Sequence, residues 1–306
     1  MIAKQSGSSL KGTGDLKNHY SRIRWLLIVI LVLNWGVAIA KMVLGFATRC
    51  QSMTADGFHS LSDGASNIIG LVGIALSSKP VDEDHPYGHR KYETFFSLGI
   101  AALLFLVAIN LVREGVDKIW HPVITEVNIM SFVVMVVTMA INIAVMKYEY
   151  SQGKKLRSDF LVADSMHTKA DIFTSFSVII ALIGIKLGFQ IVDPITTLVI
   201  SVFIAHAGLE IIRDASKVLC DTVAIMDINK IAGIVMTVKG VRQCHKIRTR
   251  GRSDDICIDL HVQVDPDMHI DQAHKICYEV EEAIKKKIPE VSDVLVHIEP
   301  RDNLNK

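Results

Sequence analysis

Along the first two thirds of the chain, hydrophobic positions come in long blocks separated by short polar breaks. Along the last third they alternate with polar ones. Six blocks stand out, at about 25–47, 51–78, 94–118, 127–147, 160–187 and 190–216. No charged residue falls between Thr94 and Val112, or between Val127 and Met146. As helices, runs of that length cross a hydrocarbon core of about 30 Å. Blocks two and five differ from the others, because each carries ionisable residues in its first third and is apolar afterwards.

From about residue 220 the texture changes. Ile256, Ile258, Leu260, Val262 and Val264 alternate with Cys257, Asp259, His261, Gln263 and Asp265, the mark of a half-buried strand. Val294, Val296 and Ile298 alternate in the same way with Leu295, His297 and Glu299. Asp227–Val238 and Asp271–Lys287 have helical periodicity. The order is α-β-β-α-β, which predicts a three-stranded sheet covered on one face by two helices, in the manner of a small metallochaperone-like domain. The expected fold is therefore an all-α, six-helix membrane domain followed by a soluble α+β domain. Its divisions are a polar tail at 1–24, a membrane domain at 25–220 and a soluble domain at 221–306.

Composition sharpens this picture. Half of the 306 residues are hydrophobic and only 21% are charged, with a mean hydropathy of +0.35. A purely soluble protein is excluded. A net charge of +1 speaks against a nucleic-acid partner held by bulk electrostatics. The five cysteines, Cys50, Cys220, Cys244, Cys257 and Cys277, are scattered and form no C-x-x-C pair, so neither a disulfide framework nor a zinc knuckle is indicated. Lys17, Arg22 and Arg24 precede an apolar run too long for a signal peptide. Lys and Arg gather in the tail, in the 79–93 loop and in a second basic loop at 147–157, which six spans place on one side of the membrane. The positive-inside rule makes that side the cytoplasm and puts both termini there.

The most telling feature is an internal repeat. Asp56, His59 and Asp63 recur as Asp164, His167 and Asp171 with the same spacing, each following an alanine. Offsets of 0, 3 and 7 lie on one face of a helix. The two copies occupy the two amphipathic blocks, and repeated halves with a polar site between them are a mark of transporters. Ionisable groups within a span are costly and belong to function by default; the structural alternative is a buried ion-pair network locking two helices. Two imidazoles and two carboxylates suit a tetrahedral divalent ion, zinc above all, and imidazole selects against Mg²⁺ and Ca²⁺. The ligand set is His59, Asp63, His167 and Asp171, with Asp56 and Asp164 supporting it one turn earlier. No H-E-x-x-H or nucleophile–base arrangement is present, so no enzyme is expected.

With these motifs, and with Pro80-Val-Asp82-Glu-Asp84-His85-Pro-Tyr-Gly-His89-Arg-Lys91-Tyr-Glu93 between blocks two and three, the chain resembles the cation diffusion facilitator family, in particular its bacterial YiiP-like members. The resemblance runs from the first span to Pro300. It implies a homodimer in the bacterial inner membrane that exports Zn²⁺ from the cytoplasm in exchange for protons, with Co²⁺ or Cd²⁺ as tolerated alternatives. The transport site then falls on His59, Asp63, His167 and Asp171. His59 departs from the YiiP-like pattern, which has an aspartate there, and resembles the zinc-preferring members; the His-rich insertion of the eukaryotic ones is missing. A second site matches Asp82, His85 and His89. A third, in the soluble domain, matches His245, His261, His274, His297 and Glu299, where zinc is a structural or regulatory ion. Lys91 and Asp221 match a pair that interlocks the two domains. The rival reading is a metal-sensing or scaffold membrane protein of the same fold without net transport.

Overall fold

The computed structural model describes residues 9–48, 51–120, 129–186, 191–222 and 227–301. Two compact units divide at Ala215/Ser216. The first holds six long helices: α1 (Ser9–Thr48), α2 (Gln51–Ser77), α3 (Lys91–Trp120), α4 (Ile129–Lys155), α5 (Asp159–Lys186) and α6 (Val192–Leu219). Among the described residues, four stretches are long and apolar enough to cross a membrane: Asn18–Val43, Lys91–Trp120, Phe132–Lys155 and Val192–Leu219. Large apolar side chains such as Trp25, Val32, Val43, Phe95, Leu106, Val202 and Phe203 stand exposed on the spans, as a lipid-facing surface requires.

Two boundaries differ from the expectation. The helix of the first span begins at Ser9, inside the stretch read as a polar tail. Tyr20, Ile23, Leu27 and Ile30, at helical spacing, are all buried and carry one apolar face back beyond the apolar block. At the other end, α4 runs to Lys155, well past the apolar block that ends near residue 147. The basic stretch read as a loop is therefore mostly helix, and only 156–158 separate α4 from α5.

Within this unit α1 packs along α2, α4 along α5, and α3 lies against both α2 and α5. Small residues set the closest approaches. A Cβ on Gly70 of α2 would lie 2.2 Å from the ring of Phe160, which is wholly buried on α5. A Cβ on Gly208 of α6 would meet the Phe105 ring of α3 at 3.1 Å. Polar groups fasten the start of α5. The Ser158 hydroxyl accepts from the Leu161 N–H at 3.2 Å, capping the helix, and donates to the buried Glu93 carboxylate of α3. Thr94 adds a hydrogen bond to Asp159 at 2.6 Å.

The second unit holds α7 (Ile228–Val235), β1 (Gln243–Arg252), β2 (Asp255–Val264), α8 (Ile270–Lys287) and β3 (Val291–Pro300). The sheet order is β1-β2-β3, with β1 antiparallel and β3 parallel to β2. Ile256, Ile258, Leu260, Val262 and Val264 are buried against Ile231 and Val235 of α7 and Ile276, Val280 and Ile284 of α8. Both helices thus cover one face, as the alternation predicts. Asp227 caps α7 by accepting from the Asn229 N–H. Lys285, Lys286 and Lys287 close α8, where cations suit the helix dipole, and Lys285 pairs with Glu281 at 2.6 Å. Leu260→Ala, at the centre of this core, should cost about 2–5 kcal/mol of stability. Chemical denaturation of residues 216–306 expressed alone measures it; an unchanged midpoint would contradict the packing.

Candidate metal sites

The helix α5 places Asp164, His167, Thr168 and Asp171 along one stripe. Asp164, His167 and Thr168 are buried, at 1%, 5% and 9% exposure, and Asp171 is half-buried. Neither ring nitrogen of His167 has a hydrogen-bond partner among the described residues. A buried imidazole with both nitrogens idle is costly unless a ligand or proton donor completes it. His59 and Asp63 lie on α2, but their side chains, like that of Asp56, fall outside the described residues. Next to His59, the Ser60 hydroxyl accepts a 2.9 Å hydrogen bond from Lys41, a lysine of α1 that is 6% exposed.

A second group forms between α2 and α3. Asp82, His85 and His89 bring one ligand atom each within 4.8 Å of one another. Asp82 Oδ1 accepts from the His85 backbone N–H at 2.7 Å and lies 3.0 Å from His85 Nδ1, while Oδ2 lies 3.3 Å from His89 Nε2. His89 Nδ1 donates to the Pro80 carbonyl at 3.0 Å, an orienting contact that leaves Nε2 to face the carboxylate. Tyr92 Oη lies within hydrogen-bond distance of His85 Nε2, at 3.3 Å. Desolvation works upward on the Asp82 carboxyl, but the His85 hydrogen bonds and the His89 and His85 charges outweigh it and hold its pKa below the ordinary value.

The third group lies on the sheet face away from the helices. His245 pairs with His261 across β1–β2, and His261 pairs with His297 across β2–β3, so three imidazoles form one row. Ring centroids are 5.5 and 4.6 Å apart along it. Glu299, two residues beyond His297, reaches back: its oxygens lie 2.6 Å from His261 Nδ1, 3.1 Å from His245 Nε2 and 3.8 Å from His297 Nε2. The His261 hydrogen bond, with the His245 and Lys246 charges, holds the Glu299 carboxyl below its usual range. His245, His261 and Glu299 meet the spacing of a metal site. The fifth residue expected there, His274, is not brought into the group: it stands exposed on α8, its ring edge-on to Tyr278 at 4.8 Å. Burial pushes the Cys244, Cys257 and Cys277 thiols up, which disfavours the thiolate a metal would take. His261→Ala should abolish zinc binding by residues 216–306 at micromolar concentration, read by isothermal titration. Wild-type affinity in that variant would contradict the cluster.

Sequence reasoning missed one buried carboxylate. Glu149, near the end of α4, is 1% exposed and accepts a 3.0 Å hydrogen bond from Thr168 of α5. Its only sequence signal is its place within a stretch read as a basic loop.

Two family models cover most of the chain: the cation efflux transmembrane domain matches residues 27–220, and the cation efflux protein cytoplasmic domain matches residues 225–301. Metal tolerance protein C1 of Arabidopsis thaliana is 28% identical over 286 residues, 88% of this chain and 61% of that protein. Manganese efflux system protein MneP of Bacillus subtilis is 27% identical over 286 residues, 90% of this chain and 96% of that one. Cation-efflux pump FieF of Serratia proteamaculans is 28% identical over 263 residues, 86% of this chain and 87% of that one.

Proposed function

The chain belongs to the cation efflux family, a family of multi-pass membrane transporters for divalent metal cations, and from that premise we propose that it exports Zn²⁺ from the cytoplasm in exchange for protons. The observation that carries this reading is His167, buried in a span with both ring nitrogens idle beside two carboxylates. The sequence repeats that pattern on α2 as Asp56, His59 and Asp63. His59, Asp63, His167 and Asp171 offer two imidazoles and two carboxylates, a donor set that favours zinc, with Co²⁺ or Cd²⁺ as further cargo. Two relatives are named for manganese efflux, so the choice of zinc rests on this chain's own imidazoles.

The mechanism is alternating access around that site. Cation entering from the cytoplasm displaces protons, because its ligands must be deprotonated to bind. On the acidic side the ligands take protons back and release the ion. The protein sits in the inner membrane with both termini in the cytoplasm. Residues 1–24 form the cytoplasmic N-terminal tail, 25–220 the transport domain and 221–306 a metal-binding domain through which two chains dimerise. Zinc at the His245, His261, His297 and Glu299 row, joined by His274 of the partner subunit, regulates the dimer. Asp82, His85 and His89 bind cation outside the membrane core. Zinc uptake into proteoliposomes with an internal indicator tests the reading: uptake above that of empty liposomes is expected. Stoichiometric binding without uptake would favour the sensor or scaffold.

A further inference from the structure

The buried carboxylate of α4 stands opposite the middle of the α5 stripe. Glu149 Oε2 takes the Thr168 hydroxyl, while Oε1 is buried and has no hydrogen-bond partner among the described residues. Glu149 also lies within electrostatic reach of Asp164 and of Asp171. Asp164 in turn interacts with His167 and with the Ser66 hydroxyl of α2. Three carboxylates and an imidazole therefore converge from α4 and α5, all but Asp171 nearly inaccessible to solvent.

Like charges enclosed at low dielectric repel strongly unless a cation or a proton sits among them, and a cargo ion exchanged for protons supplies either. A helix tether alone would not need the second oxygen. Thr168 also donates to the Asp164 carbonyl at 3.3 Å, so its hydroxyl has a partner without Glu149. The idle Oε1 and the idle nitrogens of His167 are both nine-tenths buried or more, and they lie on the same stretch of the α4–α5 interface.

We infer that Glu149 is a binding residue for the transported cation, so that α4 joins α2 and α5 in holding it. This rests on the transport site proposed above and adds a third carboxylate to it. An oxygen donor beside two imidazoles makes the site more acidic and more accommodating of harder ions than the four repeat residues alone. It also gives α4 a direct stake in cation occupancy, although α4 carries none of the repeated motif.

Full-length protein carrying Asp82→Ala and His261→Ala, which silence the other two groups, is titrated with Zn²⁺ against a competing fluorescent chelator. Glu149→Gln keeps the size of the side chain and an acceptor for Thr168 but loses the charge. Its zinc affinity should fall about 10- to 100-fold, whereas Thr168→Val, which removes the tether and keeps the carboxylate, should stay within about threefold. Wild-type affinity for Glu149→Gln, or an equal loss in Thr168→Val, overturns the inference. If Glu149→Gln is not monodisperse, Thr168→Val decides alone: affinity near wild type supports a cation ligand, and a large loss marks a structural tether. Asp171→Ala separates the two levels of the argument. A loss there with none in Glu149→Gln removes only Glu149, while no loss in either removes the α5 site and this inference with it.

Discussion

Asp171→Ala should bring zinc uptake by reconstituted protein down to the rate of empty liposomes. The residue ends the polar stripe of α5, one turn beyond His167, and it is the only carboxylate of that stripe that is half-exposed rather than enclosed. Losing a group that merely orients a metal ligand typically costs 10- to 100-fold in affinity. Losing one of four ligands should therefore cost at least about 100-fold, enough to empty the site at cytoplasmic zinc concentrations. The fold should survive, because the packing of α5 rests on other groups: the buried Phe160 and Leu161, the Ser158 cap and the Glu93 contact. A monodisperse, zinc-inactive protein is the expected outcome. Undiminished flux would place the transport path elsewhere.

His59→Asp should change which metal is carried more than how fast. It replaces one imidazole with a carboxylate, so the ligand set moves from two nitrogens and two oxygens towards oxygen alone on α2. Imidazole suits zinc and carboxylate suits manganese, so the preference for Mn²⁺ over Zn²⁺ should rise by about tenfold or more. Competition of Mn²⁺ against zinc uptake measures it directly. A variant with the wild-type ranking of metals would mean that His59 does not touch the cargo.

How far the sequence spoke depended on the kind of signal. The six blocks and the strict alternation around His261 report burial directly, and they carried the helix count of the first unit and the single covered face of the sheet. The repeat on α2 and α5 was legible because matching positions in two spans are unlike chance. Alternation placed His261, His297 and Glu299 on the open face, but the alignment of His245 with them depends on register. The pairing shifts between His245 and Arg248, and Lys246 there adopts a positive φ of 50°, which no hydrophobic pattern encodes. Glu149 was hidden for a different reason. The apolar block of α4 ends before it and basic residues follow, so composition points to a loop. Packing against α5 keeps that stretch helical and turns Glu149 inward. The early start of α1 has the same origin, since Tyr20 and Ile23 are buried by neighbouring helices rather than by a lipid-length apolar run.

Proton-coupled export around the α2–α5 site is the central claim, and zinc flux against an imposed pH gradient tests it most directly. In proteoliposomes holding an internal zinc indicator, uptake should rise when the lumen is made acidic and collapse when a protonophore dissipates the gradient. Zinc that binds stoichiometrically but never enters, or enters at one rate whatever the gradient, would contradict it.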